Sequence, residues 1–112
     1  MSGRRCPFCT YSGSVLEAYG DVFVIEPLNP VTPGHVLVIP ATHVADAVTS
    51  PALTGRVMEY AARYAREHTG PCNIITSVGS EATQTVFHLH VHIVPRRAGD
   101  GLRLPWTAEV AP

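Results

Sequence analysis

Apolar and polar positions change period along the chain, and the changes mark the elements. Val22, Phe23, Val24 and Ile25 form a β-rich apolar run ended by Pro27 and Pro30. His35 to Ile39 is a second such run, entered through the turn signal Pro33-Gly34 and stopped by Pro40. Turn residues and no helical pattern separate the two, so they are expected to pair antiparallel. Ser14 to Ala18 reads as a short preceding strand. From Ser50-Pro51, an N-cap followed by a first-turn proline, the period becomes helical. Leu53, Val57, Tyr60, Ala61, Tyr64 and His68 fall on one face and Arg56, Glu59, Arg63 and Glu67 on the other, until Gly70-Pro71 ends the helix. Asn73 to Val78 is read as a fourth strand and Gly79 to Thr83 as a loop. Val86 to Pro95 is the clearest strand, with Phe87, Leu89, Val91 and Ile93 alternating with His88, His90, His92 and Val94. The order β-β-β-α-β-β predicts an α+β fold on a mostly antiparallel sheet.

The 112 residues suit one domain, 1–112, with a loop over 1–13 and an extended arm over 98–112. Trp106 is expected to anchor that arm, and Cys72 to be a small buried hydrophobe. Tyr60 and Tyr64 are read as core or dimer contacts, and His68 as a complement to the helix dipole. A net charge of −1 argues against nucleic acid or an acidic lipid surface as partner. All eight basic residues are Arg, which closes Schiff-base lysine chemistry and the lysine-dependent phosphate loop. No apolar run reaches the roughly 20 residues that span a bilayer, so no membrane partner is expected. Cys6, Pro7, Cys9 and Thr10 interrupt the N-terminus before any signal-like stretch, and a cytoplasmic location is expected.

Three histidines within five residues change the picture from fold to chemistry. On a strand His88, His90 and His92 share one face. At about 3.3 Å per residue, His88 and His92 lie about 13 Å apart, too far to share one metal ion. The row therefore splits between a structural task and chemistry. Cys6 and Cys9 supply half of a tetrahedral zinc site that two histidines would close; a redox pair is the competing reading. Against it, Tyr11-Ser12-Gly13-Ser14 reads as a turn, so no helix N-terminus follows to lower a thiol pKa. A neutral imidazole beside another suits attack on phosphorus, with a covalent intermediate and a neighbour that holds an oxygen or protonates the leaving group. The loop 79–85 offers backbone amides with the Gln84 and Thr85 side chains, and Arg96 and Arg97 follow close behind.

The run from Gln84 to Arg96, with His88, His90 and His92 at alternate positions, resembles the signature of the histidine triad (HIT) family. The stretch from Asn29 to Pro40 with His43 after it resembles that family's second recurrent segment, and Cys6-Pro7-Phe8-Cys9 is similar to its zinc-containing branch. The resemblance covers roughly Cys6 to Arg96. It implies a five-stranded antiparallel sheet with one main helix, paired into ten strands in a homodimer. It also implies nucleotidyl transfer or hydrolysis on a small-molecule nucleotide. His90 would be the nucleophile, His92 would contact the phosphate and leaving group, and His35 would stand behind them. His88, Cys6, Cys9 and His43 would hold a structural Zn2+. Gln84 and Thr85 would hold phosphate oxygens, and Leu28, Asn29 and Phe8 would line the nucleoside pocket. Three positions depart from the pattern. Pro27 replaces a common Asp, Ser77 a common Asn at the phosphate, and Thr83 a common Gly. The alternative is a non-catalytic nucleotide- or partner-binding module on the same fold.

Overall fold

The structure, a computed structural model, describes residues 6–106. Five strands form one sheet: β1 (Val15–Tyr19), β2 (Val22–Ile25), β3 (Val36–Pro40), β4 (Cys72–Ile75) and β5 (Val91–Pro95), in the order β1-β2-β3-β5-β4. Every neighbouring pair is antiparallel. One helix, α1 (Pro51–His68), crosses a single face, and a 3₁₀ turn (Ser80–Ala82) precedes the histidine row. The α+β fold is the one expected, and β1, β3 and β4 start within one residue of the expected positions.

Alternation sorts the two faces. Val22, Val24, Val36, Val38, Val91 and Ile93 point to α1 and pack with Leu53, Val57, Ala61 and Ala65. Their neighbours Ile25, Leu37 and Ile39 point away and pack with Phe8, Tyr11 and Phe23 from the N-terminal loop and β2. The second face would be half solvated without that loop. Ser50 caps α1 through its hydroxyl, which accepts from the Leu53 amide at 3.3 Å, and Pro51 takes the first helical position, where no donor is needed. Tyr60 stacks on Tyr19 at 4.8 Å with the Arg63 guanidinium 5.3 Å from each ring. Tyr64 stacks on His68 at 4.2 Å, so both tyrosines serve packing.

Two elements are shorter than their patterns. β5 begins at Val91, not Val86. Val38 faces Val91, which puts Pro40 opposite Leu89, and a proline has no N–H for the ladder. The Leu89 amide donates instead to Val44 O at 2.8 Å. Side-chain alternation outlasts the ladder: Leu89, Val91 and Ile93 are all fully buried in the core. β4 stops at Ile75, opposite His92, rather than at Val78.

The arm after β5 opens as a knot around Asp100. Its carboxylate accepts from Arg96 at 2.8 and 3.1 Å and from the Arg97 and Leu102 amides, each at 3.0 Å. The Arg96 guanidinium, followed by those two amides, holds the Asp100 carboxyl well below the usual carboxylate range. Trp106 is 74% exposed and anchors nothing among the described residues; the rest of the expected arm, 107–112, lies outside them. Cys72 is half-buried and packs against the core.

Candidate active site and metal centre

Five of the six histidines, all but His68 on α1, gather on the side turned away from that helix, in two groups. At one end Cys6, Cys9, His43 and His88 converge, with one ligand atom of each lying within 4.8 Å of the others. His88 Nδ1 is 3.3 Å from Cys6 Sγ, 3.5 Å from Cys9 Sγ and 3.1 Å from His43 Nδ1; Cys9 Sγ is 3.1 Å from His43 Nδ1. A tetrahedral ion with bonds of about 2.3 Å to sulfur and about 2.0 Å to nitrogen sets its ligand atoms about 3.3–3.8 Å apart. The donor set therefore fits a metal ion. His88 Nε2 donates to Pro40 O at 2.8 Å, which leaves the Nδ1 lone pair facing the cluster. Burial, reinforced by the neighbouring Cys6 thiol, pushes the Cys9 thiol up, so the two sulfurs resist ionising together. A cation between them removes that conflict.

Phe8, between the two cysteines, packs edge-on against His88 at 5.8 Å and His90 at 5.3 Å. Along the row, His90 Nδ1 donates to the His88 carbonyl at 2.8 Å, and its ring meets His92 at 5.1 Å. That bond puts the His90 proton on Nδ1 and leaves a lone pair on Nε2. A second relay fixes His92. The Val31 amide donates to His35 Nδ1 at 3.1 Å, so His35 Nε2 carries the proton and donates to His92 Nδ1 at 3.0 Å. His92 then presents its own N–H at Nε2. One ring thus ends in an acceptor and its neighbour in a donor, the pairing that attack on phosphorus and capture of its oxygen need.

His92 is held at about 4, chiefly by burial, with His90 and His35 adding repulsion; burial lowers His35 as well. Both stay neutral where the unfolded chain, with histidines near pH 6.5, takes up protons. Between pH 6.5 and about 4 the unfolded state binds more protons, so stability falls with falling pH. Urea unfolding at pH 7 and pH 5 should show that loss, and His92→Gln should flatten part of the slope; an unchanged slope in that variant contradicts the assignment.

The remaining expected residues divide. Gln84 is buried, its Nε2 donating to Ala45 O at 2.8 Å and Val86 O at 3.0 Å while its Oε1 accepts from Gly79 N at 2.8 Å. Both amide hydrogens are bonded to carbonyls, so Gln84 braces the loop in this structure. Thr85 is exposed and Ser77 half-buried. Arg96 is bonded to Asp100, Asn73 and Leu102, and one Arg97 nitrogen to Thr32. Leu28 is 97% exposed and Asn29 exposed, on the β2–β3 loop. The same loop lines a cavity of about 470 Å³ with Glu26, Pro30, Val31, Thr32 and His35.

Thr83 carries the one non-glycine positive φ among the described residues, +75°. A β-branched residue there is strained, and its hydroxyl donates to Ala82 O. Thr83→Gly should stabilise the protein by about 1 kcal/mol in denaturant unfolding; a loss of stability would show that the threonine contacts outweigh the strain.

The HIT domain profile matches residues 12–99. The chain belongs to the HIT family. An uncharacterized HIT-like protein of Saccharolobus solfataricus is 34% identical over 107 residues, 89% of this HIT chain and 72% of the relative. A zinc-bound histidine triad family protein from Mycobacterium smegmatis superposes with a TM-score of 0.75 at 37% identity, covering 91% of this chain and 82% of that one. A HIT family hydrolase from Clostridium thermocellum gives 0.75 at 27% identity, over 89% and 96%. The superposition on these two structures agrees with a five-stranded antiparallel sheet and one main helix as the family's fold. The helix α1 of this HIT protein is not long and apolar enough to cross a membrane.

Proposed function

We propose that this HIT protein is a nucleotide hydrolase or nucleotidyl transferase. It acts at the α-phosphorus of nucleoside phosphoramidates, nucleotide conjugates or dinucleoside polyphosphates. The observation that carries the reading is the complementary protonation of two adjacent rings, with a lone pair at His90 Nε2 and an N–H at His92 Nε2. In the forward step His90 Nε2 attacks phosphorus, the bond to the leaving group breaks, and a nucleotidyl-histidine forms. His92 holds a non-bridging oxygen and the departing atom, with His35 behind it fixing its tautomer. Water then attacks phosphorus, the bond to His90 Nε2 breaks, and the proton that water releases balances the one the leaving group took up. Phe8, Leu28 and Asn29 line the nucleoside side, and Ser77 and Thr85 lie at the phosphate. The Cys6–Cys9–His43–His88 cluster holds zinc, which when bound ties the N-terminal loop to the sheet; the chemistry itself runs through the rings.

The Clostridium thermocellum relative is a HIT family hydrolase and the Mycobacterium smegmatis relative is zinc-bound, which supports both halves of this reading. A homodimer would pair two such sheets through an edge strand, β1 or β4, and a cytoplasmic site of action agrees with the free cysteines. The test is a panel of adenylyl and guanylyl substrates with reactions stopped in alkaline denaturant, where a phosphorus–imidazole bond survives, and analysed for a nucleotidyl group on His90. Turnover with label on His90 is expected. Nucleotide binding without turnover across the panel selects the non-catalytic binding module instead.

A further inference from the structure

The structure assigns Thr76 a task outside the histidine and cysteine motifs: it is a positioning residue for His90. Thr76 Oγ1 donates to the His90 carbonyl at 2.8 Å. That bond forms where the sheet has run out. β4 pairs with β5 only as far as Ile75 opposite His92, and β5 itself begins at Val91. His90 therefore sits on backbone that no strand pairing fixes. On the β3 side the ladder ends at Val38–Val91; Pro40 lies opposite Leu89, whose amide donates to Val44 O instead, so no ladder bond is made at His90 itself. The threonine hydroxyl replaces the missing backbone donor and extends the β4–β5 connection by one side-chain bond.

The consequence reaches the reacting atom through two short links. The His90 ring is held by its own bond from Nδ1 to the His88 carbonyl, and by edge contacts with Phe8 and His92. Those contacts orient the ring only if the His90 backbone is in place. Thr76 supplies that placement from half-buried surroundings, without touching the ring itself. Displacing a reacting group by even a fraction of a bond length lowers the population of attack-ready geometry. Binding of the nucleotide depends on other contacts and is left alone.

This inference rests on His90 being the nucleophile, and the experiment separates the two. Thr76→Val keeps the shape and removes the donor, whereas Thr76→Ser keeps the donor. With an adenosine phosphoramidate, Thr76→Val should lower kcat about tenfold with KM within twofold, and Thr76→Ser should restore kcat. High-resolution crystal structures of the three proteins give a readout independent of turnover. The parent and Thr76→Ser should hold His90 in one rotamer bonded to the His88 carbonyl, and Thr76→Val should show it displaced or in several. If the parent itself turns over nothing, the nucleophile reading fails, and the crystal comparison still decides whether Thr76 places the ring. An unmoved His90 in Thr76→Val, or wild-type kcat in an active parent, overturns the assignment.

Discussion

Replacing His90 with alanine should cut turnover of an adenosine phosphoramidate by at least about 10³-fold, because a covalent route has no substitute for its nucleophile. The reason lies in how the two free ring nitrogens are set. Only His90 combines an Nε2 lone pair with an Nδ1 anchored to a backbone carbonyl. His92 offers a proton at the corresponding place, and His88 is turned into the sulfur cluster. No neighbour can take over attack without reversing a tautomer that the backbone fixes. The ring is half-buried and its removal leaves the core untouched, so the variant should melt close to the parent and keep its metal. His90→Gly should behave alike. Full turnover in the folded alanine variant would sink the enzymatic reading, and retained nucleotide affinity beside lost turnover would locate the defect in chemistry.

What the sequence made legible was whatever depends on alternation and spacing. The three histidines stay on one side of the chain because Leu89, Val91 and Ile93 must enter the core, and that requirement holds past the end of β5. That His88 and His92 could not share one ion followed from strand rise alone, and His88 does group with the cysteines and His43. Illegible were the side chains that act on backbone far away in sequence. Gln84 is a loop brace because Ala45, from the loop after β3, presents a carbonyl to it. Equally hidden was a local fold: Asp100 turns back on Arg96 four residues earlier, a bond inside an arm read as extended. Thr76 carries no pattern at all, and becomes informative only once β4 is seen to stop at Ile75. Pro40 was the one available signal for the shortened β5. A proline ending one strand also removes a donor from its partner, wherever the register brings them together.

Cys6→Ser should abolish metal binding and destabilise the fold by about 3 kcal/mol or more, a fall of roughly 10 °C or more in Tm at this size. Metal analysis of the parent should give about one zinc per chain, and the variant none. The magnitude follows from what the cluster holds. Cys6 is 6% exposed and His88 fully buried, and Phe8 joins the Ile25, Leu37 and Ile39 cluster from a loop with no strand pairing of its own. Without an ion, only hydrogen bonds crowded on His88 Nδ1, from His43 at 3.1 Å and from the sulfurs at 3.3 and 3.5 Å, hold the loop to the sheet. Relieving that arrangement means lifting the loop, which uncovers the apolar face beneath it and withdraws Phe8 from His90. Chelation of the parent should reproduce the Cys6→Ser loss, and zinc should reverse it only in the parent. A purified protein that is metal-free and equally stable would contradict the assignment. Thiol titration separates the remaining rival: zinc-protected thiols support the metal centre, whereas reversible disulfide formation between Cys6 and Cys9 would make the pair a redox device.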